Sequence, residues 1–101
     1  MLSKQNNETI TLCFMEEPTA NCLNDLLQQS YDVLDQYDAY KEVVIDMQKV
    51  NYIDSTGITF LIGLYKNLVR KNKKMRVTGA RKEIRELFNI VNLAELFQVE
   101  A

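Results

Sequence analysis

The spacing of apolar and polar positions changes period along this chain, and each change marks an element. Val43-Val44-Ile45-Asp46-Met47 is a short apolar run rich in β-branched residues, the pattern of a strand buried on both faces, as in a parallel sheet. A polar loop, Gln48-Lys49-Val50-Asn51-Tyr52-Ile53, follows it. After Gly57 the apolar residues Ile58, Leu61, Ile62, Tyr65, Leu68 and Val69 recur three and four apart, the spacing of one helical face. Asp54-Ser55-Thr56-Gly57 therefore falls at a helix N-terminus beside the carboxyl end of a central strand. In open α/β sheets, ligand and regulatory chemistry gathers at that place.

The flanking segments extend the pattern. Residues 1–5 read as an edge strand, with Asn6-Asn7 as a turn, and Thr9 to Phe14 as a second strand with Ile10, Leu12 and Phe14 alternating with smaller residues. Glu16-Glu17-Pro18 breaks the strand, and Pro18-Thr19 suits a helix start. From Ala20 to about Tyr40 the positions Leu23, Leu26, Leu27, Tyr31, Leu34 and Tyr37 keep helical spacing, with Asp25, Gln28, Gln29, Asp32 and Asp35 on the wet face. Met75 to Thr78 reads as a short strand ended by Gly79. Arg81 to Val91 carries Ile84, Leu87, Phe88 and Val91 at helical spacing, and Asn92 breaks it. Leu96 to Val99 is left as a last short strand or a packed tail. The order is ββαβαβα with an optional final β. It predicts an α/β fold with a mixed, mostly parallel sheet of four to five strands and three to four helices.

Composition narrows the function classes. The 101 residues suit one domain spanning 1–101, and 47% apolar with 26% charged residues is ordinary for a globular protein. A net charge of −2 argues against general nucleic-acid affinity. No apolar run approaches a membrane span and the N-terminus lacks a secretory pattern, so the expected compartment is the cytoplasm. Cys13 and Cys22 lie in apolar stretches, and with no histidine in the chain a zinc site is not expected. Two free thiols fit a cytoplasmic protein better than a disulfide. The missing histidine also removes ordinary Ser-His or Cys-His nucleophile pairs, and the three glycines form no Walker loop. The chain is read as a binding module, not an enzyme, with no cofactor. The basic run Lys66, Arg70, Lys71, Lys73, Lys74 and Arg76 reads foremost as a solvated helix C-terminus complementing the helix dipole. A docking patch for an acidic partner or a nucleic acid is the alternative.

Asp54 or Ser55 is placed to accept hydrogen bonds from the first free backbone N–H groups of the helix. Phosphorylating a hydroxyl there adds about −1.5 to −2 charges where backbone donors receive them. Asp54 repels that same phosphate, which makes the modified state finely balanced. The tetrapeptide on its own also fits a plain cap and turn.

The wider pattern resembles a known family. Val44-Ile45-Asp46-Met47, then Val50 through Ile58, then Phe60-Leu61-Ile62 resemble the signature of STAS domains, and more narrowly of bacterial anti-sigma-factor antagonists. Met75-Arg76-Val77-Thr78-Gly79, Ile84 through Phe97 and Thr19-Ala20 extend the resemblance over nearly the full chain. It implies that Ser55 is the phosphoacceptor, framed by Asp54, Thr56 and Gly57, with Glu16 as an acidic residue near the acceptor. It also implies a partner serine kinase of the GHKL type that doubles as the anti-sigma factor, and a PP2C-type phosphatase. On this resemblance the unmodified form is expected to bind the kinase and phosphorylation to release it; Ile58, Thr59 and Ile62, on the first turns of the helix, are the contacts expected for such a dock. Two departures bear on which kinase fits: Cys13-Phe14 stands where the family has Gly-Glu, and Thr59 where it has a small residue. An output in biofilm formation, secretion or an associated enzyme stays open, as do a small-ligand-binding STAS module and a weak homodimer.

Overall fold

A computed structural model describes residues 2–6, 8–15, 17, 23–36 and 39–100. The elements are β1 (Leu2–Asn6), β2 (Thr9–Cys13), α1 (Leu23–Gln36), β3 (Glu42–Asp46), α2 (Ser55–Arg70), β4 (Lys74–Thr78) and α3 (Lys82–Ile90). One four-stranded sheet has the order β1-β2-β3-β4. β1 runs antiparallel to β2, while β2, β3 and β4 are mutually parallel. The expected mixed, mostly parallel sheet is therefore present.

Register explains where the core sits. Ile10, Val43 and Met75 lie side by side across three strands, as do Leu12, Ile45 and Val77. All six are buried and face one side of the sheet. Leu34 of α1, Phe60, Leu61, Leu64 and Leu68 of α2, and Ile84 and Phe88 of α3 join the same cluster. Each such side chain contributes about 1.5–3 kcal/mol on burial. Phe14 stacks on Phe60 at 6.0 Å between centroids, and Phe88 meets Phe97 edge-on at 5.7 Å. Val44, between the two buried rows, is also buried, which accounts for the unbroken apolar run read from β3.

Two readings are corrected. The buried stripe of α2 is Gly57, Phe60, Leu61, Leu64 and Leu68. Ile58, Ile62 and Tyr65 are half-buried at its flank, and Val69 is 49% exposed. This helix is apolar around most of its circumference, so spacing alone does not set its phase. Helix α1 ends at Gln36, short of Tyr40. Tyr40 is buried beneath the Lys73 ammonium, 4.2 Å from its ring centroid, and its carbonyl accepts from Lys73 Nζ. That anchors Tyr40 to the approach of β4. The Pro18-Thr19 helix start, Cys22 and Tyr37 fall outside the described residues.

The segment after α3 is a packed tail of turns, not a strand. It lies along the outer edge of β4, where the Val77 N–H donates to the Phe97 carbonyl at 3.1 Å and the Glu100 N–H to the Val77 carbonyl at 2.8 Å. Arg76 bonds Glu42 and Glu100, each at 3.2 Å. Among the described residues no helix is long and apolar enough to cross a membrane.

Candidate functional site

The site is built at the carboxyl end of β3. The Phe14 N–H donates to the Asp46 carbonyl at 3.0 Å and the Met47 N–H to the Thr78 carbonyl at 2.9 Å, carrying the parallel ladder past the strand ends. The Asp46 side chain then turns the chain: its Oδ1 accepts the Gln48 N–H at 2.9 Å. Its Oδ2 accepts the Cys13 thiol at 3.7 Å, and burial, then the Asp46 charge, push the Cys13 thiol above its ordinary pKa. Gly79 passes directly over this turn in the left-handed region, at φ 71°. A Cβ there would lie 3.1 Å from Asp46 Oδ1 and 3.2 Å from the Gln48 nitrogen.

The loop from Gln48 to Asp54 is pinned by alternate side chains. Val50 and Ile53 are buried, while Asn51 and Tyr52 face solvent. Asn51 Oδ1 accepts from Arg81 Nη1 at 2.9 Å, which ties the loop to the start of α3. Asp54 then caps α2 from an extended backbone (φ −107°, ψ −177°), its Oδ1 accepting the Gly57 N–H at 2.9 Å. Of the two candidate caps, Asp54 takes the role.

Ser55 is the first residue of α2 and is exposed. Its carbonyl accepts from Thr59 Oγ1 one turn later at 2.9 Å. Thr56 is half-buried and Gly57 buried, so Ser55 is the hydroxyl of the motif most open to a modifying enzyme. Thr59 is exposed, and Ile58 and Ile62 are half-buried with part of each surface still accessible. Asp54, Ser55, Thr56, Gly57, Ile58, Thr59 and Ile62 are thus brought together on the first two turns of α2. Glu16 falls outside the described residues. Among the described residues no cluster of three His, Cys, Asp or Glu side chains is arranged to hold a metal.

Sequence reading assigned no role to Asp46, Gly79 or Arg81, although they shape the loop that presents Ser55. Gly directly after a strand and Asp at a strand end were the available signals. Neither signal names its partner, because Asp46–Cys13 and Arg81–Asn51 join residues 33 and 30 positions apart.

An exposed serine thus stands at a capped helix N-terminus beside an inner strand of this sheet. Residues 6–101 match the STAS domain model, and the chain belongs to that family. An anti-sigma-B factor antagonist of Staphylococcus aureus is 31% identical over 62 residues, which cover 61% of this chain. The match spans only 57% of that relative's length. A putative anti-sigma factor antagonist from Thermotoga maritima has a similar fold, with a TM-score of 0.85 at 13% identity over 97% of this chain and 83% of that one. The Bacillus cell fate determinant SpoIIAA in its phosphorylated form superposes with a TM-score of 0.73 at 13% identity, covering 99% of this chain and 90% of that one.

Proposed function

We propose that this chain is a phosphorylation-controlled antagonist of an anti-sigma factor, acting in the bacterial cytoplasm as a binding module and not as an enzyme. The observation that carries the reading is the exposure of Ser55 at the N-terminus of α2 while Asp54 does the capping. The serine hydroxyl is then free for transfer chemistry without dismantling the helix start. The relatives named as anti-sigma-B factor antagonists support the same reading.

In this mechanism the unmodified first turns of α2 dock on a serine kinase of the GHKL type that doubles as the anti-sigma factor, through Ile58, Thr59 and Ile62. ATP held by the kinase supplies the phosphoryl group: the Ser55 oxygen bonds the γ-phosphorus as the bond to ADP breaks, and ADP leaves with the kinase. Phosphate on Ser55 adds bulk and negative charge beside Asp54 and weakens the dock by repulsion and desolvation. A loss of about 2–4 kcal/mol suffices to reduce affinity more than tenfold. A PP2C-type phosphatase resets the switch.

The test is intact-mass analysis and phosphosite mapping of the protein from its native host, with and without phosphatase. It is joined to calorimetric titration of Ser55→Ala and Ser55→Asp against the kinase. Phosphate confined to Ser55, tight binding by Ser55→Ala and weak binding by Ser55→Asp are expected. Equal affinity of the two variants would overturn the proposal.

A further inference from the structure

The basic run after the motif is not one patch. Arg76 belongs to β4 and is engaged by Glu42 and Glu100, and Lys73 is engaged by Tyr40. Lys66 and Arg70 instead remain on α2, both exposed, and neither joins an ion pair among the described residues. At 3.6 residues per turn, Ser55, Thr59, Lys66 and Arg70 fall within about 60° of the helix circumference. They lie opposite the buried stripe from Gly57 to Leu68. Lys66 stands about 16 Å and Arg70 about 22 Å along the axis from Ser55.

The sixteen residues of α2 contain no acidic residue to compensate the cations, and like charges four apart repel. Dipole complementarity accounts for Arg70, in the last turn, but fades before Lys66. Val69 exposes 49% of its surface on one flank of this face, and half-buried Ile62 continues that apolar flank toward Thr59. Gly63 is exposed on the other flank, and among the described residues nothing lies within 4 Å of an added Cβ, so packing among them does not require a glycine there.

We infer that the docking surface runs the whole exposed length of α2, from Ser55 to Arg70, and takes an acidic protein face with carboxylates opposite Lys66 and Arg70. The inference rests on the reading of Ser55 as the switch and gives its partner a chemistry. Two cations one turn apart, with an apolar strip along one flank, match a local carboxylate pair on a folded surface. An extended polyanion fits poorly, because α1 packs beside α2 and exposes Asp25, Asp32 and Asp35, and the chain's net charge is −2. With a screening length of about 8 Å at physiological salt, phosphate at Ser55 acts on its own end of the track. Lys66 and Arg70 then set affinity and partner choice independently of the switch.

The experiment titrates the full chain with the serine kinase that phosphorylates Ser55, at low and high salt. The proteins compared are wild type, Lys66→Glu/Arg70→Glu and Ser55→Asp, with thermal unfolding of each as the folding control. The double charge reversal is expected to stay folded with an unfolding temperature only several degrees below wild type, from the lost dipole complement of Arg70, to bind at least tenfold more weakly at low salt and to flatten the salt dependence. Equal binding by wild type and the double variant overturns the acidic-partner assignment and leaves the Ser55 switch standing. Undiminished binding by Ser55→Asp, with binding lost on charge reversal, overturns the switch and sustains the track. A kinase that does not bind wild type overturns both. Wild type alone is also sedimented, and floated with phosphatidylglycerol–phosphatidylcholine vesicles. Self-association or vesicle binding that the double variant loses gives the face to a second copy or a membrane, and overturns the acidic-protein assignment.

Discussion

The Asp54 carboxylate accepts the Gly57 N–H at 2.9 Å, and Ser55 lies between the two with its side chain exposed. Capping and phosphate acceptance are thereby divided between neighbouring residues. Asp54→Ala removes the cap and is expected to cost about 1 kcal/mol, or roughly 4–8 °C in Tm for a domain of this size. Asp54→Asn keeps a capping oxygen and should cost much less. Chemical denaturation of the two variants separates the cap from the charge, and equal losses would show that the carboxylate charge, not the hydrogen bond, stabilises the helix start.

Two glycines should respond to alanine in opposite directions. Gly79 adopts φ 71°, and its missing Cβ would sit 3.1 Å from Asp46 Oδ1. Gly79→Ala is expected to destabilise by about 1–3 kcal/mol through left-handed strain and the displaced Asp46 turn. Gly63 lies in the interior of α2 with nothing among the described residues within 4 Å of an added Cβ, so Gly63→Ala should stabilise by about 0.5–1 kcal/mol. Urea unfolding of both variants reads the two signs directly.

The contrast between these glycines also marks how far the sequence was legible. Strands β2, β3 and β4 were readable because Ile10/Leu12, Val43/Ile45 and Met75/Val77 carry the period of a buried sheet face. The place of Ser55 was readable because a polar loop and a capping tetrapeptide separate β3 from a long apolar helix. The phase of α2 was not, since Ile58, Phe60, Leu61, Ile62, Leu64 and Tyr65 surround most of the helix. Only the sheet chooses among them. The division of the basic run was equally hidden, because Arg76 finds Glu42 and Glu100 through the parallel register and the tail. Neither relation has a local signature.

Asparagine stands where glycine is commonest at the ends of both later helices. Asn72 and Asn92 each have φ 61°. The Lys73 N–H donates to the Leu68 carbonyl and the Leu93 N–H to the Phe88 carbonyl, both at 2.8 Å, which is the six-to-one bond of a Schellman ending. Glycine adopts this conformation without the Cβ penalty. Asn72→Gly and Asn92→Gly are each expected to stabilise by a few tenths to about 1 kcal/mol. A loss of stability in either variant would mean that the asparagine side chain itself contributes to the turn.

Cys13 gives the fold an alkaline limit. Burial first, and the Asp46 carboxylate second, raise its pKa above that of an ordinary cysteine thiol. At neutral pH the thiol is protonated in both the folded and unfolded states and contributes no pH dependence. As pH rises through the unfolded value, the unfolded chain loses this proton first, so stability falls until the folded thiol also ionises. Asp46→Asn removes the carboxylate charge and should bring the thiol pKa down. Cys13 in that variant is then expected to alkylate faster than wild type at pH 8, followed by peptide mapping to distinguish it from Cys22. Slower or unchanged alkylation would place the control of this thiol in burial alone. A Cys13→Ser comparison over pH 8–10 tests the stability arm, since the serine variant should lose less stability than wild type across that range.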